Sequence, residues 1–281
     1  MNHRTNRTKP QAAAPSSFAR HLWFGQTAKA AAAASAVLSA ALLLGGCATA
    51  PVPPDWQANA FAALNSYTAA YLAGNSRIAE FEFRRARAEV ARTGRPDLVA
   101  RVELVRCAAQ VASLDFSACT GYQALAADAL ASEQAYAQFL TGRWAGLQPE
   151  LLPLQYRSLV QQWQASLARP AVSAAAAAVS AAGSSATGLA ATGMSATGMS
   201  ADSLRQMQDP LARLIAAGAL LKAELLAPAD IGLAAETASS QGWRRALLAW
   251  LGVQQQRALT AGDASTSASL QRRIDLLLQT P

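Results

Sequence analysis

From Asp55 onward the apolar residues recur three and four apart, and no segment alternates over five residues in the manner of a strand. That periodicity confines the chain to an all-α fold, built from amphipathic helices that must bury one face against another. Trp56, Ala60, Phe61, Leu64, Tyr67 and Tyr71 share one face of a first helix, with Asp55 as its N-cap and Gly74 at its end. A second helix spans Ser76 to Arg92, and Thr93-Gly94-Arg95-Pro96 stops it. Pro96 and Asp97 suit the first turn of a third, which runs to Leu114. A fourth is expected from Thr120 through Leu125, Ala129, Tyr136, Phe139 and Leu140, and a fifth from Leu152 to Ala168.

The helical pattern stops at Arg169-Pro170. Residues 170–201 hold no aromatic side chain, and Ala171 to Ser200 carry no charge. Three tandem pentapeptides begin at Ser185, Ala190 and Ser195, each with Thr-Gly at its third and fourth places. Glycine at every fifth residue opposes a helix, and Ser and Thr offer competing local hydrogen bonds. The segment reads as a low-complexity linker between two helical regions, 55–169 and 202–281. In the second region a helix is expected from Asp202 to Leu226, with Pro210 as a kink or a new first turn. Ile231 to Ser239 give a short helix. Trp243, Leu247, Trp250 and Leu251 mark another, which ends near Ala261-Gly262-Asp263, and Ser265 to Gln279 form the last.

The formal net charge is +7, but Arg4, Arg7, Lys9, Arg20 and Lys29 lie in residues 1–46, which contain no acid. Subtracting five leaves +2 on the remainder, so the basic character belongs to the leader and gives no footprint for nucleic acid. In that leader a basic stretch is followed by an uncharged apolar run, Ala30 to Leu44, shorter than the ~20 residues of a spanning helix. Gly45, Gly46 and Cys47 come next.

Leu44-Gly45-Gly46-Cys47 resembles the lipobox of bacterial lipoproteins. The resemblance implies a signal peptide over 1–46, cleavage before Cys47, acylation of Cys47 by fatty acids such as palmitate, and a short proline-rich tether over 47–54. The residue after the cysteine is Ala48 and not Asp, which in that family favours the outer membrane over the inner. The implied place is the cell envelope, lipid-anchored to the outer membrane and facing the periplasm. That compartment is oxidising, so Cys107 and Cys119 are expected to form a disulfide that clamps a helical hairpin. Leu98-x-x-Arg101-Val102-Glu103-Leu104 is echoed by Leu270-x-x-Arg273-Ile274-Asp275-Leu276, each after a glycine-containing turn. The echo resembles the paired-helix unit of tetratricopeptide-like arrays and implies antiparallel hairpins stacked as an irregular α-solenoid. Ordinary amphipathic helices are the alternative.

Both histidines, His3 and His21, lie in the leader, so the exported chain has none. That removes the usual Ser-His-Asp and Cys-His nucleophiles and the histidine metal ligands. No catalytic, cofactor-binding or metal-binding motif is present. Lys222, the only lysine after Cys47, reads as a helix-surface residue with Glu224 nearby. Glu80, Glu82, Glu89, Asp97, Glu103 and Asp115 are the acids a carboxylate-based glycan hydrolase would draw on. Their places suggest helix surfaces instead: Glu80 is four from Arg84, Asp97 opens a helix, and Glu103 lies near Arg101 and Arg106. Arg77, Arg84, Arg85, Arg87, Arg92 and Arg95 form the densest basic stretch, interleaved with acids. Trp243 and Trp250, seven apart, read as core. The expected function is contact with an envelope protein partner, as an interaction or scaffold module. The alternatives are a cell-wall glycan hydrolase and a small-ligand or lipid carrier.

Overall fold

The computed structural model describes residues 54–168 and 203–279. The signal peptide, Cys47, nearly all of the tether and the 170–201 linker lie outside the described residues. Within them the fold is all-α, with no strand. The elements are α1 (Asp55–Ala73), α2 (Ser76–Ala91), α3 (Pro96–Ala112), the single turn α4 (Thr120–Gln123), α5 (Ala131–Leu140), a 3-10 turn (Pro149–Leu151) and α6 (Leu154–Ala168). After residue 202 come a helical turn at 203–206, α7 (Pro210–Lys222), α8 (Pro228–Ser240), α9 (Arg244–Thr260) and α10 (Ala264–Gln279).

Local chemistry sets most of these ends. Gly74 closes α1 with φ 95°, a left-handed conformation that a Cβ would strain. The Asn75 side chain opens α2 by accepting from the Ile78 amide at 3.2 Å. Proline occupies the first turn of α3, α7 and α8. Asp209 caps α7, accepting from Leu211 and Ala212 amides at 2.8 and 3.3 Å, so Pro210 begins a new helix and does not kink an old one. Asp55 is the first residue of α1 and not its cap; Pro54 holds that position and no side chain caps the helix.

The expected fourth helix is broken in two. The Gln134 side-chain Nε2 donates to the carbonyls of Ala126 and Ala129 at 3.4 and 3.0 Å, the groups a continuous helix would have satisfied from its own backbone. The chain then passes through an extended Leu130 before α5. The fifth helix starts late because Leu152 precedes Pro153 and is held extended, with ψ 156°.

Helix α3 is buried on nearly every side. One face meets α1 and α2 through Ala63, Leu64, Tyr67, Phe83, Val102 and Val105. The other enters the larger core, where Leu104, Ala108 and Val111 join Phe139, Leu214 and Trp250. Helix α7 crosses α3 so closely that a Cβ on Gly218 would overlap the Val111 carbonyl oxygen. Trp250 Nε1 in α9 donates to the Ala112 carbonyl at 3.1 Å. Arg245 Nε donates to the Tyr71 carbonyl at 2.7 Å, and its guanidinium lies 4.3 Å from the Tyr71 ring centre. The helices before residue 169 and after residue 202 therefore share one core. The two echoing segments sit differently within it. Leu98 and Leu270 are both buried, but Leu104 is buried in α3 while its counterpart Leu276 is exposed on α10.

Candidate functional site: two cavities beside the disulfide

Cys107 on α3 and Cys119 at the entry to α4 stand at disulfide-bonding distance, with Cα atoms 5.8 Å apart. The bond pins the loop between them, which turns at Leu114 (φ 59°) and is held by Asp115. Asp115 accepts from the Ser117 amide at 3.1 Å, from the Ser117 hydroxyl, and from the Tyr71 hydroxyl at 3.4 Å. Burial raises the Asp115 carboxyl, but those donors outweigh it and hold it below its ordinary value. The loop separates two cavities.

The polar cavity, of about 350 Å³, lies between α2, α3 and α4. Glu103, 7% exposed, accepts from Arg87 Nε at 2.9 Å. It fits there because Gly121 faces it; a Cβ at that position would overlap the carboxylate. Glu80 pairs with Arg106 at 3.3 Å, and not with Arg84 along its own helix. The Arg106 guanidinium also lies 4.6 Å from the Phe83 ring centre. Arg84 lines the same cleft and has no ion pair among the described residues. Three arginines thus meet two glutamates, the cleft carries a net positive charge, and Arg84 is exposed.

The second cavity, of about 220 Å³, is lined by Leu104, Val111, Phe116, Tyr122 and Leu140, with Arg143 and Lys222 at its edge. Lys222 Nζ sits 4.9 Å from the Phe116 ring centre. Gly142, at φ 74°, lets the end of α5 approach the end of α7: a Cβ there would lie 3.0 Å from the Ala223 nitrogen, and the left-handed backbone favours glycine.

The acids singled out by sequence do not converge as a free pair. Glu80 and Glu103 share the polar cleft, but each is held by arginine. Glu82 and Glu89 pair with Arg85 and Arg92 at 3.4 and 3.0 Å along the flank of α2. Asp97 accepts from Arg95 Nε at 3.2 Å, and that hydrogen bond holds its carboxyl below the ordinary range. A general acid needs the opposite displacement. Trp250 is fully buried in the core and Trp243 packs partly buried against it.

Sequence reasoning passed over Glu133. It is buried in α5, where Arg101 donates to Oε1 from Nε and from its terminal nitrogen at 3.0 and 2.7 Å. Nothing local signals a pair 32 residues apart. Among the described residues no three metal-ligating side chains gather, and no helix is long and apolar enough to cross a membrane. Comparison of the chain with protein-family models, with curated proteins and with solved structures gives no significant match in any of the three.

Proposed function

We propose that this chain is an envelope lipoprotein, acylated at Cys47 and held at the outer membrane facing the periplasm. In this reading its helical domain works by contact with an envelope protein partner. The order of the leader supports the anchor: basic region, apolar run, small residues, cysteine. The observation that carries contact over catalysis is the state of the acids, each engaged by an arginine or by hydroxyl and amide donors, with Asp97 and Asp115 shifted downward. The polar cleft, with Arg84 free to make a bidentate contact, fits an acidic segment of a partner.

The carrier reading draws on a separate observation, the apolar cavity with Lys222 and Arg143 at its edge, which would take a small apolar molecule bearing one negative group. An irregular α-solenoid of stacked antiparallel hairpins would be compatible with either reading.

Replacement of Cys47 by Ser, followed by labelling of cells with a fatty-acid probe, tests the anchor. Label is expected on the wild-type chain alone; equal label on both ends the lipoprotein reading. Release of fragments from purified peptidoglycan by the protein, abolished by Glu80→Gln or Glu103→Gln, would replace contact by hydrolysis.

A further inference from the structure

The outward face of α2 combines basic and apolar side chains. Arg77, Phe81, Arg85, Ala88 and Arg92 follow one another at helical spacing, with Ile78 beside them, and all are exposed. Phe81 is 58% exposed and Ile78 46%. By composition the helix is mixed in charge, but its charges are unequally placed. In the Arg85–Glu82 pair the arginine side chain is 47% exposed and the glutamate 15%. In the Arg92–Glu89 pair the values are 71% and 13%. The acids lie along the flank and the guanidinium groups stand outermost. Arg77 has no ion pair among the described residues. The face therefore presents arginine, phenylalanine and isoleucine, with no carboxylate among them.

We propose that this face rests on an anionic bilayer surface and sets the orientation of the tethered domain. The inference rests on the reading that Cys47 is acylated. Three features favour a bilayer over a protein partner. The face is the outer surface of a helix, and neither Phe81, Ile78 nor Arg85 lines the two cavities that Glu80 and Arg106 border. Protein hot spots seat an anchor in a pocket, whereas a lipid interface accepts the outer face of a helix, with aromatic and aliphatic groups at the acyl boundary and guanidinium groups at the phosphates. The tether is short: seven residues, Ala48 to Pro54, span at most about 25 Å. Helices α1 and α2 form an antiparallel hairpin, so the Arg92 end of α2 lies beside Asp55, where the tether joins. A tether of this length gives an effective concentration on the order of millimolar, so a face too small to hold a free protein is enough to orient an anchored one.

The test uses the full chain, processed in its host, with Phe81→benzoylphenylalanine or, on α10, Leu276→benzoylphenylalanine. Both positions are exposed, so neither substitution enters the core. The protein is irradiated in cells and after reconstitution into phosphatidylglycerol or phosphatidylcholine vesicles, and adducts are read by mass. A phospholipid adduct at position 81 in the anionic vesicles is expected. It should fall at least about fivefold in Arg77→Glu, which removes one surface cation and adds an anion, and similarly in the neutral vesicles. Arg77 lies in the first turn of α2, where a negative charge favours the helix, so the variant keeps its fold. A protein adduct at 81 in cells, no lipid adduct, or equal lipid adducts at 81 and 276 would overturn the inference. Acylation of Cys47 is read from the same spectra. A chain acylated but not crosslinked to lipid refutes the α2 face alone, and a chain crosslinked but not acylated refutes the anchor alone.

Discussion

Two chemically identical substitutions are expected to change stability in opposite directions. Gly218 in α7 and Gly252 in α9 both lie inside helices, where replacing glycine by alanine gains about 1 kcal/mol from the backbone alone. At Gly252 a Cβ meets nothing within 4 Å, so the gain is kept. For a domain of this size that raises Tm by about 2–4 °C. At Gly218 a Cβ overlaps the Val111 carbonyl oxygen and stands 2.9 Å from Val111 Cγ1. The obstacle is backbone that cannot swing away. Val111 O already accepts from the Leu114 amide at 3.0 Å, and the neighbouring Ala112 carbonyl accepts from Trp250 at 3.1 Å. Relief requires α3 and α7 to separate. Overpacking costs about 1–3 kcal/mol, and here the fixed carbonyl places it at the upper end. After the propensity gain, a net loss of about 1–2 kcal/mol remains, lowering Tm by about 2–8 °C. Thermal unfolding followed by circular dichroism measures both variants. If Gly218→Ala rises in Tm as Gly252→Ala does, α3 and α7 do not cross at this distance, and the helices before residue 169 and after residue 202 do not share the core described above.

Intact mass after alkylation without reductant should show Cys107 and Cys119 unmodified, and Cys107→Ser with Cys119→Ser should cost about 3 kcal/mol for a loop this short; two alkylated thiols would refute the bond. Glu133→Ala leaves the Arg101 guanidinium in a largely buried position without its carboxylate and should cost about 3–5 kcal/mol by urea unfolding, while Glu82→Ala on the flank of α2 should cost about 1 or less. Asp263 opens α10 by accepting from the Thr266 amide and Ser265 hydroxyl, both at 2.9 Å, and hydrogen bonds from Thr266 and Ser265 lower its carboxyl from 3.8 to about 2. A carboxyl lowered in the folded state stabilises above its unfolded value and loses that contribution as pH falls. The start of α10 should therefore fray as pH drops from about 4 through 2, seen as an upfield move of the Thr266 amide resonance; no movement in that window would refute the cap.

The sequence by itself determined the all-α class and most helix ends. These depend on neighbours within one or two turns: spacing of apolar residues, proline at a first turn, glycine at a last one. It also placed Cys107 and Cys119 close enough in the chain for one hairpin to bring them together. It misread the span from Thr120 to Leu140 as one helix, because Gln134 takes up carbonyls that no local rule assigns to it. It treated Glu103 as a surface acid near Arg101 and Arg106, although Glu103 turns inward to Arg87 and Arg101 reaches Glu133. Those partners are chosen by how α2, α3 and α5 cross, and crossing is decided by packing between segments far apart in the chain. The polar cleft, the cations at the edge of the apolar cavity and the outward cationic face of α2 exist for the same reason. Periodicity says which side of a helix is apolar; only the arrangement of the helices says which side chains that leaves outside and what they meet there.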